Sequence, residues 1–275
     1  MALVPFPKKA APSGAEEPES DWDDHEPESE QGGKMSFLDH LDELRKRIIY
    51  ALVSVVLGFI VAVFFLDPIF NFVMAPMQAA LEPGQRLIFT DPTEALMLKL
   101  KMAVIAGLLL ASPAVMSQVW LFIAPGLYSN EKKLAIPFVA LSSVCFVGGA
   151  AFAHYVVFPL TWKFFASFAS DLITFMPRIE PAFGLYMKLL LVFGAVFQMP
   201  TLVLFLAKLG IVSARFLIRH MKYAILIMFV VRAVLSPGTD PVGQVLLAGP
   251  MFVLYVISIG LAWLFGKKKK PLEEV

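Results

Sequence analysis

The sequence predicts an all-α integral membrane protein: six transmembrane helices in a kinked bundle, with both termini on the same side. Three observations predict it. The chain is 58% hydrophobic and only 16% charged, whereas a water-soluble domain carries about a quarter charged residues. Its apolar runs repeatedly exceed the ~18 residues that mark a membrane span, because the hydrocarbon core takes about 20 helical residues to cross. Its basic residues gather in alternate connections. Inside lipid the backbone must satisfy its own hydrogen bonds, so such runs are read as helices.

Residues 1–34 come first and have no apolar periodicity. They hold Glu16, Glu17, Glu19, Asp21, Asp23, Asp24, Glu26, Glu28 and Glu30 among several prolines. This composition buries too little surface to fold and predicts a disordered acidic tail. The stretch DWDDHEPE is read as solvated charge, not as a metal site. No apolar region follows the tail's lysines, so it is not a signal peptide.

At Ser36 the pattern changes. Ser36 with Asp39 three residues on is a capping-box signature. Phe37, Leu41, Leu44 and Ile48 share one helical face, which predicts an amphipathic helix lying at the surface before the chain turns in. The first span follows at about 48–66. Pro68, Pro76 and Pro83 then mark a loop with a short amphipathic piece around 69–81. Asp91-Pro92-Thr93-Glu94 is a helix start, with Asp as cap and Pro at the first helical position. The second span runs from there to about 122, the third over 134–158, the fourth over 183–209, the fifth over 223–235 and the sixth over 242–265. The fifth is short. Its ~13 residues cover roughly 20 Å of a core about 30 Å thick, and Arg232 interrupts them.

Charge sets the orientation. Lys8, Lys9, Lys34, Arg45, Lys46 and Arg47 lie at the N-terminal end. Lys132 and Lys133 lie in the second-to-third connection, and Lys208, Arg215, Arg219 and Lys222 in the fourth-to-fifth. Lys267–Lys270 follow the last span. These are most of the 23 basic residues, and the positive-inside rule puts both termini in the cytoplasm.

Polar groups inside spans are expensive and default to functional hypotheses. Lys99, Lys101 and Lys188 sit where they could snorkel to the headgroups. Gln198 lies deep in the fourth span, before Pro200. Its amide needs a partner, and two readings stand side by side: an interhelical hydrogen bond and a cavity lining. Pro113, Pro137, Pro159, Pro200 and Pro250 predict kinks. The lone Cys145 forms no intrachain disulfide. No HExxH, GxSxG or phosphate loop occurs, and His25, His40, His154 and His220 share no metal spacing. An enzyme, a cofactor and a nucleic-acid partner are therefore not expected. The residues alone leave two classes: a secondary transporter of a small solute or ion, and a receptor or translocation component that engages another protein.

Four stretches narrow that choice. HLDELRKR (40–47), ASPAVMSQVWLFIAPGLYSNEKK (111–133), AFAHYVVFPL (151–160) and LSPGTDPVGQ (235–244) are similar to the TatC family, the six-span core subunit of the twin-arginine protein translocase. The resemblance covers about residues 35–266, leaving 1–34 and the basic 267–275 as tails. It implies a concave bundle in the bacterial inner membrane with two short final spans. It implies recognition of Arg-Arg signal peptides on folded precursors and export driven by the proton gradient. It also implies an oligomeric assembly with single-span TatA-type and TatB-type subunits. The family's signal-binding carboxylates fall on Glu43 and Glu131, and its nearby aromatic on Phe122. Its cavity residue falls on Gln198, where many members carry glutamate. Its partner-docking positions fall on Ser236, Asp240 and Gln244. Glu131 beside Lys132 and Lys133 can pair with a neighbour, as exposed loop charges do. On the resemblance it instead offers a carboxylate to a guanidinium, whose bidentate geometry lysine cannot copy.

Overall fold

A computed structural model describes residues 37–79, 81, 87–123, 135–170, 172, 175–235 and 241–266. Among these the secondary structure is helical: α1 (Phe37–Phe64), α2 (Leu66–Gln78), α3 (Pro92–Ile123), α4 (Ala135–Phe152), a π turn (Ala153–Val157), α5 (Phe158–Ala166), α6 (Ile179–Val196), α7 (Gln198–Lys208), α8 (Ala214–Arg219), α9 (Met221–Leu235) and α10 (Pro241–Phe265). Five stretches are long and apolar enough to cross a membrane: His40–Phe64, Pro92–Ile123, Ile136–Ala166, Ile179–Lys208 and Gly243–Phe265. The remaining expected span, the fifth, is α9 (Met221–Leu235). Its 15 residues reach about 22 Å at 1.5 Å per residue, so it is short, as its sequence predicts. α10 is not. Its 25 residues reach about 37 Å, enough to cross the core with some tilt. It holds no charged side chain to shorten the apolar run.

The expected surface helix before the first span does not exist as a separate element. α1 is one helix of 28 residues, because nothing between Phe37 and Val56 breaks it; its first glycine is Gly58. The tail 1–34, the cap residue Ser36 and the segment 267–275 lie outside the described residues.

The prolines act through the carbonyl four residues back, which loses its donor and meets the ring. Pro200 faces the carbonyl of Val196, and there the fourth span divides into α6 and α7 at Phe197. Pro159 faces that of Tyr155, and the π turn widens the helix around it. Pro113 and Pro250 lie inside unbroken helices. Pro137 falls in the first turn of α4, where its missing N–H breaks no hydrogen bond, so the kink expected there is not found.

The core lies between α2, α3, α5, α6 and α10. Phe158, Phe183, Phe193, Leu189, Met77 and Met102 are fully buried there. α1 leans on α3 at a single close crossing. A Cβ on Gly58 would stand 2.3 Å from the Gly107 carbonyl oxygen, and one on Gly107 would stand 2.5 Å from the Phe59 nitrogen. Only glycine fits both positions. The opposite face of α1 is apolar and exposed, with Leu52, Leu57 and Phe64 among its residues. Between α1, α2, α3 and α6 a hollow of about 390 Å³ opens, walled by Val61, Phe65, Phe72, Met102, Leu109 and Tyr186.

Candidate functional site

The crossing at Gly58 brings the start of α1 against the end of α3. Glu43 and Arg47 stand one turn apart on α1, the spacing at which helical side chains meet. Arg47 Nη2 donates to Glu43 Oε1 at 3.0 Å, and Arg47 Nη1 reaches Gln118 Oε1 on α3 at 3.5 Å. The second carboxylate oxygen, Glu43 Oε2, is buried and has no hydrogen-bond partner among the described residues. Three residues before Glu43, His40 lays its ring flat on Phe122, the centroids 4.4 Å apart and the planes 19° apart. Two of the residues expected from sequence, Glu43 and Phe122, therefore meet at one junction. Arg47, Gln118 and His40 hold them there. A carboxylate oxygen without a donor is unfavourable when buried, so the described residues leave one acceptor of this junction unmet. Glu131, Lys132 and Lys133 lie outside the described residues, as do Ser236 and Asp240. Gln244 stands half-buried in the first turn of α10.

Gln198 opens α7 in the middle of the fourth span. Its Nε2 donates to the Ser142 carbonyl of α4 at 2.8 Å. The Ser142 hydroxyl in turn accepts from Trp120 Nε1 of α3 at 2.7 Å. Of the two readings of Gln198, the interhelical hydrogen bond is the one formed. The carbonyl can only accept, so the amide orientation is fixed and its oxygen faces away from Ser142. Trp120 also packs on Phe138 and Phe205, with centroids 5.1 and 4.7 Å away. One polar joint thus connects the α3 end that carries Phe122 with the mid-membrane amide.

The opposite ends of these helices carry a different charge cluster. Arg178, before α6, donates to Glu94 Oε1 of α3 at 2.5 Å. Thr90 adds its hydroxyl to the same oxygen at 3.2 Å and its N–H to Oε2 at 3.3 Å. The Glu94 side chain is only 4% exposed. The Ile88 N–H donates to the Pro177 carbonyl and the Ile179 N–H to the Ile88 carbonyl, at 3.3 and 2.9 Å, tying the two outer connections together. Asp91 caps α3 as its sequence predicts, accepting the Thr93 hydroxyl at 2.7 Å and the Thr93 N–H at 2.8 Å. The Thr93 hydroxyl, then its N–H, hold the Asp91 carboxyl below its ordinary range.

Two of the three lysines expected to snorkel are paired instead. Lys99 reaches Asp67 and Lys101 reaches Glu180, each at 3.3 Å, because acids on α2 and α6 lie beside them. Lys188 is exposed. Arg232 is buried in α9.

Sequence reasoning missed several of these pairings. Arg178 and Glu94 are 84 positions apart, and no local pattern joins them. His154, buried in the π turn, meets the Tyr186 hydroxyl at 3.0 Å and stacks on Phe72 at 4.2 Å; its partners lie on other helices. Arg47 alone carried a readable signal, its position four residues after Glu43.

Comparison with known proteins gives a consistent result. Residues 39–250 match the family described as TatC, Sec-independent protein translocase protein. The TatC of Desulforapulum autotrophicum is 41% identical over 246 residues, covering 90% of this chain and 91% of that protein. The TatC of Koribacter versatilis is 42% identical over 239 residues, covering 86% and 88%. A crystal structure of the twin-arginine translocase receptor TatC superposes with a TM-score of 0.73 at 36% identity, covering 81% of this chain and 97% of that one.

Proposed function

The chain belongs to the TatC family of Sec-independent protein translocase proteins and is a core component of the twin-arginine translocase; from that premise we propose that the α1–α3 junction is where it receives the Arg-Arg pair of a signal peptide. The observation that carries this reading is the half-used carboxylate of Glu43. One oxygen is held by Arg47, and the other is buried without a donor among the described residues. A guanidinium supplies donors in a planar fork that suits that oxygen. Phe122, held flat by His40, offers an aromatic face on which a guanidinium stacks. Glu131, four residues before α4 (Ala135–Phe152) in the chain, supplies the second acceptor for the second arginine.

The orientation follows from charge. Most basic residues lie in the N-terminal tail and α1 start, the second-to-third connection, the α7–α9 connection and the C-terminal end, which supports both termini facing the cytoplasm of a bacterium whose inner membrane holds the chain. Folded precursors are then recognised at the inner surface and moved outward at the expense of the proton gradient. The role is transport, with no chemical step to catalyse. The tail 1–34 is dispensable for recognition, and the membrane domain of residues 35–266 suffices.

Single-span TatA-type and TatB-type subunits dock beside the short α9, at Ser236, Asp240 and Gln244. A groove of about 300 Å³ walled by Val196, Met199, Met228, Val231 and Met251 supports this placement. It would take an apolar helix.

Crosslinking tests the proposal. A photoreactive residue in place of Phe122 should label a signal peptide carrying Arg-Arg and leave its Lys-Lys counterpart unlabelled. Equal labelling of both would remove the junction as the recognition site. Uptake of a small solute by vesicles, without peptide contact, would point to a transporter instead.

A further inference from the structure

We propose that the cleft between the α7–α8 turn and the last turn of α10 binds the headgroup of an anionic phospholipid. The lipid comes from the cytoplasmic leaflet, given the inward orientation argued above. The cleft is built from both sides. After α7, Gly210 adopts φ +78°, the left-handed region that favours glycine. The chain reverses there, and the N–H groups of Ile211 and Val212 both donate to the Leu206 carbonyl, at 3.0 and 3.3 Å. Ser213 then caps α8 by accepting the Phe216 N–H at 3.2 Å. On the facing wall, α10 is fixed to α8 by the Tyr255 hydroxyl, which donates to the Leu217 carbonyl at 2.8 Å. Between these walls lies a space of about 600 Å³, lined by Val212, Ser213, Arg215, Ala262, Trp263 and Gly266.

The charge around it has one sign. No Asp or Glu occurs between Glu180 and Asp240, or between Asp240 and Glu273. Arg215 is exposed on the lining, and Arg219 is exposed one turn on. Four lysines, Lys267–Lys270, follow Gly266 directly in the chain. Lys208 and Lys222 are turned elsewhere, over the rings of Phe138 and Tyr223 at 5.6 and 5.1 Å. Among the described residues, Arg215 is therefore the cation that lines the cleft.

The rim is apolar. Trp263 is 77% exposed and Ile211 68% exposed, with Leu264 and Phe216 also bare. Tryptophan at the end of a span sits at headgroup level. A soluble anion would use Arg215 and leave that rim in water. A phospholipid uses both, with its phosphodiester on Arg215, its glycerol beside Trp263 and its chains along Ile211 and Leu264. Basic pockets between spans at the cytoplasmic side favour anionic headgroups for this reason.

Native mass spectrometry of the detergent-purified full chain tests the site. Phosphatidylglycerol and phosphatidylcholine with matched acyl chains are added in equal amounts. Wild type should retain phosphatidylglycerol preferentially. Arg215→Gln should weaken its retention about fivefold, the factor expected for one basic side chain at an anionic surface. Arg215→Lys should lose less, and Trp263→Ala should weaken both lipids. Lys163→Gln, at an exposed cation on α5, should change nothing. Millimolar glycerol phosphate should not displace the lipid. Retention by Arg215→Gln equal to wild type would overturn the proposal. So would an equal loss in Lys163→Gln, which means unspecific charge, or full displacement by glycerol phosphate, which means a soluble-anion site.

Discussion

Glu43 and Glu94 are two carboxylates at opposite ends of the same helix pair, and their surroundings differ in one respect. Glu94 is saturated: Arg178 and the Thr90 hydroxyl share one oxygen, and the Thr90 N–H takes the other. Glu43 is half-used: Arg47 takes one oxygen, and the other has no donor among the described residues. A carboxylate with a donor on each oxygen serves to hold α3 to the chain before α6. A half-used one has capacity and lacks its partner. Under the proposed function, this difference separates a clamp from a receptor site.

Substitutions should separate the two ends, beginning with the largest effect. Glu43→Ala should weaken binding of an Arg-Arg signal peptide by about one to two decades, since hydrogen bonds to charged groups contribute roughly 1.5–3 kcal/mol. Isothermal titration of the purified variant measures it. His40→Ala should cost about two- to tenfold in the same titration, the range of an aromatic pair contributing ~0.5–1.5 kcal/mol, and His40→Phe should recover most of that loss. If His40→Ala binds as wild type, the ring does not position Phe122. Gln198→Leu should reduce export about fivefold, because an interhelical hydrogen bond in a membrane contributes ~1 kcal/mol; export assays in cells read this out. Gln198→Glu should keep that bond only as the protonated acid, since a carboxylate has no hydrogen to give the Ser142 carbonyl.

The smallest effect is expected at the α3 cap. The folded state holds the Asp91 carboxyl below its ordinary value. Its stabilisation is therefore present above the unfolded value of about 3.9 and lost as pH falls through the folded one. Asp91→Asn keeps a cap acceptor but cannot ionise, so melting curves of this variant should lose part of the acid dependence seen in wild type.

Much of the fold was legible in the sequence because membrane spans are long and their signal is local. The short α9 and the Asp91 cap follow from length and spacing alone. The unbroken α1 was not read correctly, since amphipathic and apolar segments differ in composition while the backbone needs only the absence of a breaker. The junction was half legible. Glu43 and Phe122 came from the family's motifs, whereas their supports, Gln118 and the His40 stack, depend on α1 crossing α3 at Gly58 and Gly107. That crossing joins positions far apart in the chain. The Glu94–Arg178 clamp was invisible for the same reason, and the lysines near Asp67 and Glu180 were read alone because their partners lie on other helices.

The most direct test crosses the two carboxylates with two readouts. Glu43→Gln and Glu94→Gln are purified in parallel. Each is titrated with Arg-Arg and Lys-Lys peptides at two salt concentrations, and each is melted. Glu43→Gln should lose at least about tenfold in Arg-Arg affinity, show little change with Lys-Lys, and melt like wild type. Glu94→Gln should bind both peptides as wild type does and melt at a lower temperature. If Glu43→Gln binds the Arg-Arg peptide as tightly as wild type at both salts, or if Glu94→Gln is the variant that loses it, the assignment of receptor and clamp is wrong.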